Sequence, residues 1–132
     1  MTPTDSHPGS TATILVVEDD ADTREFIVML LSMVGYQTLE AGSGAAALST
    51  IAEHPVQAMT LDLRLPDMDG LEVCRHLRAH GYPDLPIILV TADRTPNLGR
   101  DAAKAGVTDV IEKPFAPEAL EKRIEGLLAA ST

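Results

Sequence analysis

The 132-residue chain has no tryptophan, and aromatic residues make up only 3% of it. Any core must therefore be built from Val, Leu, Ile, Met and Ala, and the 45% hydrophobic content is enough to build one. There is one cysteine, Cys74, so no intrachain disulfide can form. It lies in the apolar-periodic stretch Leu71, Cys74, Leu77, which predicts a buried structural thiol rather than a reactive one. Positive charge is in the minority: 10 Lys and Arg stand against 20 Asp and Glu, a formal net charge of −10. That balance argues against a nucleic-acid-binding surface, which needs clustered positive charge, and against contact with an anionic membrane. It suits carboxylates gathered around a cation, or charge that serves solubility alone. No apolar run reaches spanning length, and the N-terminus lacks a basic-then-apolar signal pattern, so a cytoplasmic protein is expected. The length fits one domain.

Residues 1–11 (MTPTDSHPGST) are polar and aperiodic and are expected to form a flexible tail. The remainder alternates between two kinds of segment. ATILVV (12–17) is a short β-branched run that suits a buried strand. Asp22 to Val34 follows as a helix with Phe26, Ile27, Leu30, Leu31 and Val34 along one face, stopped by Gly35. YQTLE (36–40) is a second strand. Ser43 caps a helix running to about Glu53, and Pro55 bars its extension. QAMTLDL (57–63) is a third strand, RLPDMDG a loop and Leu71 to Ala79 a helix. Pro83 and Pro86 mark off the N-terminal side of IILVT (87–91), the fourth strand. Asn97 to Ala105 is a helix ended by Gly106, TDVIE (108–112) a fifth strand, and Pro117 to Ala129 the last helix, with Leu120, Ile124, Leu127 and Leu128 inward.

Five strand–helix repeats with short, continuous, apolar strands predict an α/β fold: an open, doubly wound parallel sheet covered on both faces. Ligands in such sheets sit beyond the carboxyl ends of the strands. Residues with useful chemistry should therefore follow strands one, three, four and five, and they do: Glu18-Asp19-Asp20, Asp62, Thr91 with the small Ala92, and Lys113 before Pro114. Acids crowded into one cleft repel each other, and a hard divalent cation relieves the repulsion. Mg²⁺, with Mn²⁺ as the alternative, takes oxygen ligands and keeps several waters. Asp19 and Asp62 suit direct ligation, Glu18 ligation through water, and the backbone carbonyl of Arg64 a further position. A carboxylate is also a nucleophile towards phosphorus. Asp62 is central, Lys113 and the metal would neutralise the phosphoryl oxygens, Thr91 would donate to one of them, and Ala92 leaves room. Singly, each residue has a simpler explanation: an acidic pair after a strand is usually a helix cap, as expected of Asp20 or Asp22. Their joint occurrence at four strand ends does not.

ILVVEDD (14–20), LDLRLPDMDGLEV (61–73), IILVTA (87–92) and EKPF (112–115) together resemble the receiver domain of two-component response regulators, over about residues 13–129. The resemblance implies a flavodoxin-like sheet of order 2-1-3-4-5 and a receiver over residues 12–130. It implies Asp62 as phosphoacceptor, Glu18 and Asp19 as the acidic pair, Thr91 and Lys113 as phosphoryl contacts, and a cis Lys113–Pro114 bond. The implied donor is a phosphohistidine on a histidine kinase or phosphotransfer protein, and the domain catalyses only its own phosphorylation and hydrolysis. The implied output face is formed by the fourth helix, fifth strand and fifth helix. One position departs from the pattern: Val110 stands where the family usually has an aromatic switch, so the usual coupling of Thr91 to an aromatic is not expected. Arg64 and Asp93, two residues past Asp62 and Thr91, are expected to pair across the site mouth and slow hydrolysis, or to form only a loose surface pair. After Ala130 only Ser131 and Thr132 remain, so no output domain is expected; the chain reads as a stand-alone receiver or a piece of a longer protein.

Three other functions compete. An Asp-based phosphatase would need an Asp-x-Asp acid, where the chain has Asp62-Leu63-Arg64. A flavin carrier would need a phosphate-cradling loop, where Glu18-Asp19-Asp20 repels phosphate. A degenerate receiver would signal by contact alone, with Val110 in its favour.

Overall fold

The computed structural model describes residues 12–130; the tail expected at 1–11 lies outside the described residues. Five strands and five helices alternate: β1 (Thr13–Val17), α1 (Ala21–Met33), β2 (Gln37–Ala41), α2 (Gly44–Glu53), β3 (Ala58–Leu61), α3 (Gly70–Ala79), β4 (Ile87–Thr91), α4 (Leu98–Ala105), β5 (Asp109–Glu112) and α5 (Pro117–Ala130). The strands are all parallel, in the order β2-β1-β3-β4-β5. This is the flavodoxin-like arrangement, with its switch point between β1 and β3.

Alternation along the central strands feeds two cores. Leu15, Val17, Met59, Leu61, Ile87 and Leu89 face one core, where α2, α3 and α4 supply Ala47, Ile51, Cys74, Leu77 and Ala102. Ile14, Val16, Ala58, Ile88 and Val90 face the other, with Ile27 and Leu31 of α1 and Leu120 and Ile124 of α5. Each fully buried Leu or Ile contributes about 1.5–3 kcal/mol. Cys74 is buried within the first core, as its spacing predicts.

The edge strands depart from the continuous apolar pattern: β2 and β5 are half-exposed, because one flank of each meets no strand. On α1 only Ile27, Leu30 and Leu31 are buried, whereas Phe26 and Val34 stand 41% and 45% exposed. The sheet accepts a narrower stripe than the sequence offers: Val34 is the C-cap residue past the last turn, and Phe26 leans outward on Phe115, with ring centroids 6.2 Å apart. Helix starts follow side-chain chemistry. Asp20 caps α1 through the Thr23 amide, Ser43 caps α2 through Ala46, and Asp69 with Glu72 forms a reciprocal capping box on α3. α4 begins differently. Its N-cap, Asn97, is left-handed (φ 72°) and makes no side-chain cap bond. No helix among the described residues is long and apolar enough to cross a membrane.

Candidate functional site

Parallel register brings the carboxyl ends of the strands to one edge. Val17 pairs with both Ala41 and Leu61, and Thr91 pairs with Glu112. The residues just beyond therefore converge: Glu18 after β1, Asp62 after β3, Thr91 closing β4 and Lys113 after β5. Backbone bonds fix them, with the Asp62 amide donating to Val17 O at 3.1 Å and the Lys113 amide to Thr91 O at 2.9 Å.

Glu18 is 2% exposed and Asp62 8%. Lys113 Nζ lies 2.6 Å from Glu18 Oε1 and 3.4 Å from Asp62 Oδ2, so one ammonium serves two carboxylates. The second Glu18 oxygen, Oε2, accepts from the Asp20 amide at 3.1 Å, and Arg24 Nη1 donates to the Glu18 carbonyl at 2.7 Å. Burial pushes the Glu18 carboxyl above its usual range, despite the bonds to Lys113 and Asp20. Burial alone would lower the Lys113 ammonium, but the Glu18 bond and the fields of Asp62 and Glu18 outweigh it and hold it above its usual value.

Asp19 is the exposed member of the acidic group. Carboxylate oxygens of Glu18, Asp19 and Asp62 lie within 4.8 Å of one another. The donors are all hard oxygens, which suits Mg²⁺ or Mn²⁺ better than a soft-ligand metal. Both Glu18 oxygens are engaged, which leaves Asp19 and Asp62 as the freer ligands. Arg64 sits in the loop after Asp62, where its backbone forms an isolated antiparallel bridge with Asp69.

Thr91 is buried, and its hydroxyl accepts from the Asp93 amide at 3.1 Å. Ala92 follows and is exposed. Arg64 and Asp93 do pair: Nη2 and Nε of Arg64 lie 2.5 and 3.1 Å from Asp93 Oδ2. The other Asp93 oxygen takes the Thr95 amide at 2.8 Å and the Thr95 hydroxyl. The Thr95 bonds first, and Arg64 after them, hold the Asp93 carboxyl down at about 2. Val110 is half-buried against the core.

Three contributors escape single-residue reading. Gly70 is required because a Cβ on it would meet the Asp62 carbonyl oxygen. Its amide also donates to Leu63 O at 2.7 Å, closing the loop under Asp62. Asp67 accepts from the Gly44 and Ala45 amides, each at 2.8 Å, and so ties the same loop to the start of α2. Both belong to LPDMDG, where the sequence flags a loop but not what it touches. Arg24 had no sequence signal.

The chain is similar to known proteins in sequence and in fold. A family model described as "Response regulator receiver domain" matches residues 14–125. The response regulator MprA of Mycolicibacterium vanbaalenii is 43% identical over 119 residues, which cover 90% of this chain and 51% of that protein. MprA of Mycobacterium leprae is 43% identical over 87% of this chain and 50% of its own length. The chain thus spans about half the length of the curated relatives it matches. A putative response regulator from Chloroflexus aurantiacus superposes with TM-score 0.85 at 34% identity, covering 89% of this chain and 98% of that one. The chemotaxis protein CheY4 of Vibrio cholerae gives 0.84 at 27%, with the same coverage.

Proposed function

The chain belongs to the response regulator receiver domain family, and on that premise we propose that Asp62 accepts a phosphoryl group from a phosphohistidine and later loses it to water. The observation that carries this reading is the shared Lys113 ammonium between Glu18 and Asp62, beside the exposed Asp19. Asp19 and Asp62, with the Arg64 carbonyl and with Glu18 through water, would hold Mg²⁺. When bound there, it supplies positive charge against the phosphoryl oxygens.

The chain's own residues do the rest. A carboxylate oxygen of Asp62 attacks phosphorus, the O–P bond forms, and the P–N bond to the donor imidazole breaks. Lys113 stands by to neutralise a phosphoryl oxygen and keeps its proton, because its neighbours hold its pKa high. Thr91 accepts from the Asp93 amide, so its hydroxyl proton is left to donate to another phosphoryl oxygen. Ala92 leaves the mouth open above it. The experiment is incubation with Mg²⁺ and acetyl phosphate followed by intact mass. One phosphoryl group is expected, and none after chelation with EDTA. A chain unmodified under every condition would refute the reading.

The Arg64–Asp93 pair sits where attacking water must enter. Arg64 is 76% exposed and Asp93 9%, so the arginine is the movable half, anchored on a fixed carboxylate. Arg64→Ala is expected to speed dephosphorylation by roughly 3- to 10-fold, as follows from removing a barrier of about 1 kcal/mol. An unchanged first-order decay of the adduct would leave the pair a surface contact only.

The donor is a histidine kinase or a histidine phosphotransfer protein, and it must rest on the rim around Asp62. Phe26, Met29 and Met33 form an exposed apolar stripe on α1. The Phe26–Phe115 contact joins that stripe to the loop that carries Lys113. Met29→Glu is expected to cut phosphotransfer from such a partner at least 10-fold while leaving acetyl phosphate labelling intact. Equal loss with both donors would place the effect in the fold. Downstream contact is assigned to the face of α4, β5 and α5, in a cytoplasmic signalling chain.

A further inference from the structure

Arg24 stands in the first turn of α1. A cation at that place works against the positive end of the helix dipole, so helix stability gives no reason for it. Its contacts give one. Nη1 donates to the Glu18 carbonyl at 2.7 Å, and Nε donates to Glu40 Oε1 at 3.1 Å. The arginine side chain is 23% exposed and that of Glu40 52%, so the guanidinium is the more buried partner. Gly42 packs close by: a Cβ there would lie 3.4 Å from Nη1. We propose that Arg24 is a positioning residue of the cation site, which fixes the Glu18–Asp19 peptide and thereby aims the Asp19 carboxylate.

The need for such a residue follows from how the acidic pair is held. Glu18 is fixed at both carboxylate oxygens, by Lys113 and by the Asp20 amide. Among the described residues no hydrogen bond or ion pair holds the Asp19 carboxylate. Its place within 4.8 Å of the Glu18 and Asp62 oxygens therefore depends on the backbone that carries it. On the strand side that backbone is anchored by the Glu18 amide, which donates to Ala41 O at 3.0 Å. On the helix side it is anchored by the Asp20 carbonyl, which accepts from the Arg24 amide at 2.9 Å. The peptide between Glu18 and Asp19 lies between these anchors, and its carbonyl is the one that the Arg24 side chain takes.

The donor is directed at a carbonyl and not at a carboxylate of the site, so Arg24 leaves the oxygens of Asp19 and Asp62 to the metal. Glu40 pairs with the guanidinium, which offsets the repulsion that a bare cation would exert on a bound Mg²⁺. A planar guanidinium suits the place, since one rigid fork spans two acceptors and a compact ammonium does not. Charge and geometry therefore make opposite predictions. If only the field of the arginine mattered, its removal would strengthen cation binding. If it positions Asp19, its removal weakens cation binding.

The inference rests on the reading of Asp19 and Asp62 as Mg²⁺ ligands. Its test is titration of the full ¹⁵N-labelled chain with Mg²⁺, read by amide shifts and by calorimetry. Arg24→Met keeps an apolar stem and is expected to raise the Mg²⁺ Kd at least 5-fold. Arg24→Lys keeps the charge without the fork, and its Kd should fall between that variant and the parent. In an Asp19→Asn background Arg24→Met should have no further effect, because the carboxylate that Arg24 aims is gone. An arginine that only supports the fold would cost the same in both backgrounds. Unchanged or tighter binding by a folded Arg24→Met chain, or equal losses in the two backgrounds, overturns the proposal. If Arg24→Met does not fold, Arg24→Lys decides in its place, and parental affinity overturns the proposal. A parent chain that binds no Mg²⁺ removes the metal reading itself, so the two failures are distinguishable.

Discussion

Asp62→Asn is expected to abolish phosphoryl uptake from acetyl phosphate, a loss of at least about 10³-fold, as removal of a nucleophile implies. The neighbouring carboxylates are poor substitutes. Both Glu18 oxygens are committed, to Lys113 and to the Asp20 amide, and the residue is 2% exposed. Asp19 is exposed, but the Lys113 ammonium is directed at Glu18 and Asp62 rather than at it. The fold should persist, because the Asp62 backbone bond to Val17 is untouched and Asn has the same shape. The substitution also removes a negative charge that helps push Glu18 upward. Thermal unfolding without metal should therefore show no loss of stability. An adduct that survives on the folded variant would move the nucleophile elsewhere.

Lys113→Ala is expected to slow uptake by roughly 10²-fold, the usual cost of losing one charge-stabilising donor. Its second effect is on stability. Removing one partner of a buried pair leaves the other charge uncompensated, at a cost of about 3 kcal/mol. The orphan is Glu18, whose carboxyl burial already raises above its ordinary value of 4.5. Its folded pKa rises further without Lys113, so the folded state binds a proton more tightly than the unfolded state. Stability then falls as pH rises above about 4.5. Below that value Glu18 is protonated in both states, and the deficit relative to the parent chain should shrink. Chemical unfolding in metal-free buffer from pH 4 to pH 8 measures this, and a deficit constant across the range would exclude Glu18 as its origin.

Legibility in the sequence followed how local each cause was. IILVT, which starts directly after Pro86, reads as a strand with the right bounds, because a β-branched apolar run begins where proline ends the segment before it by local sterics. Ser43, and one of Asp20 and Asp22, read as caps for the same reason, since a cap bond closes within three residues; the structure puts the second cap on Asp20. Strand ends were less legible. LDL was expected to prolong the third strand, yet pairing stops at Leu61 and frees Asp62 to turn into the site. The edge strands and the exposed Phe26 were misjudged together, because exposure depends on which neighbours the sheet supplies and not on the residue.

By itself the sequence determined the alternation of elements, the two-faced core and the acids, hydroxyl and lysine at four strand ends. Period, capping and turn chemistry act over a few residues. Only the tertiary structure decided how those groups share their partners. Lys113 is 95 residues from Glu18 and 51 from Asp62 along the chain, and its 2.6 and 3.4 Å contacts arise from parallel register. The pairing of Arg64 with Asp93 and the approach of Gly70 to the Asp62 carbonyl are likewise products of packing. Spacing along a chain does not encode the distance between loops that different strands carry to the same edge.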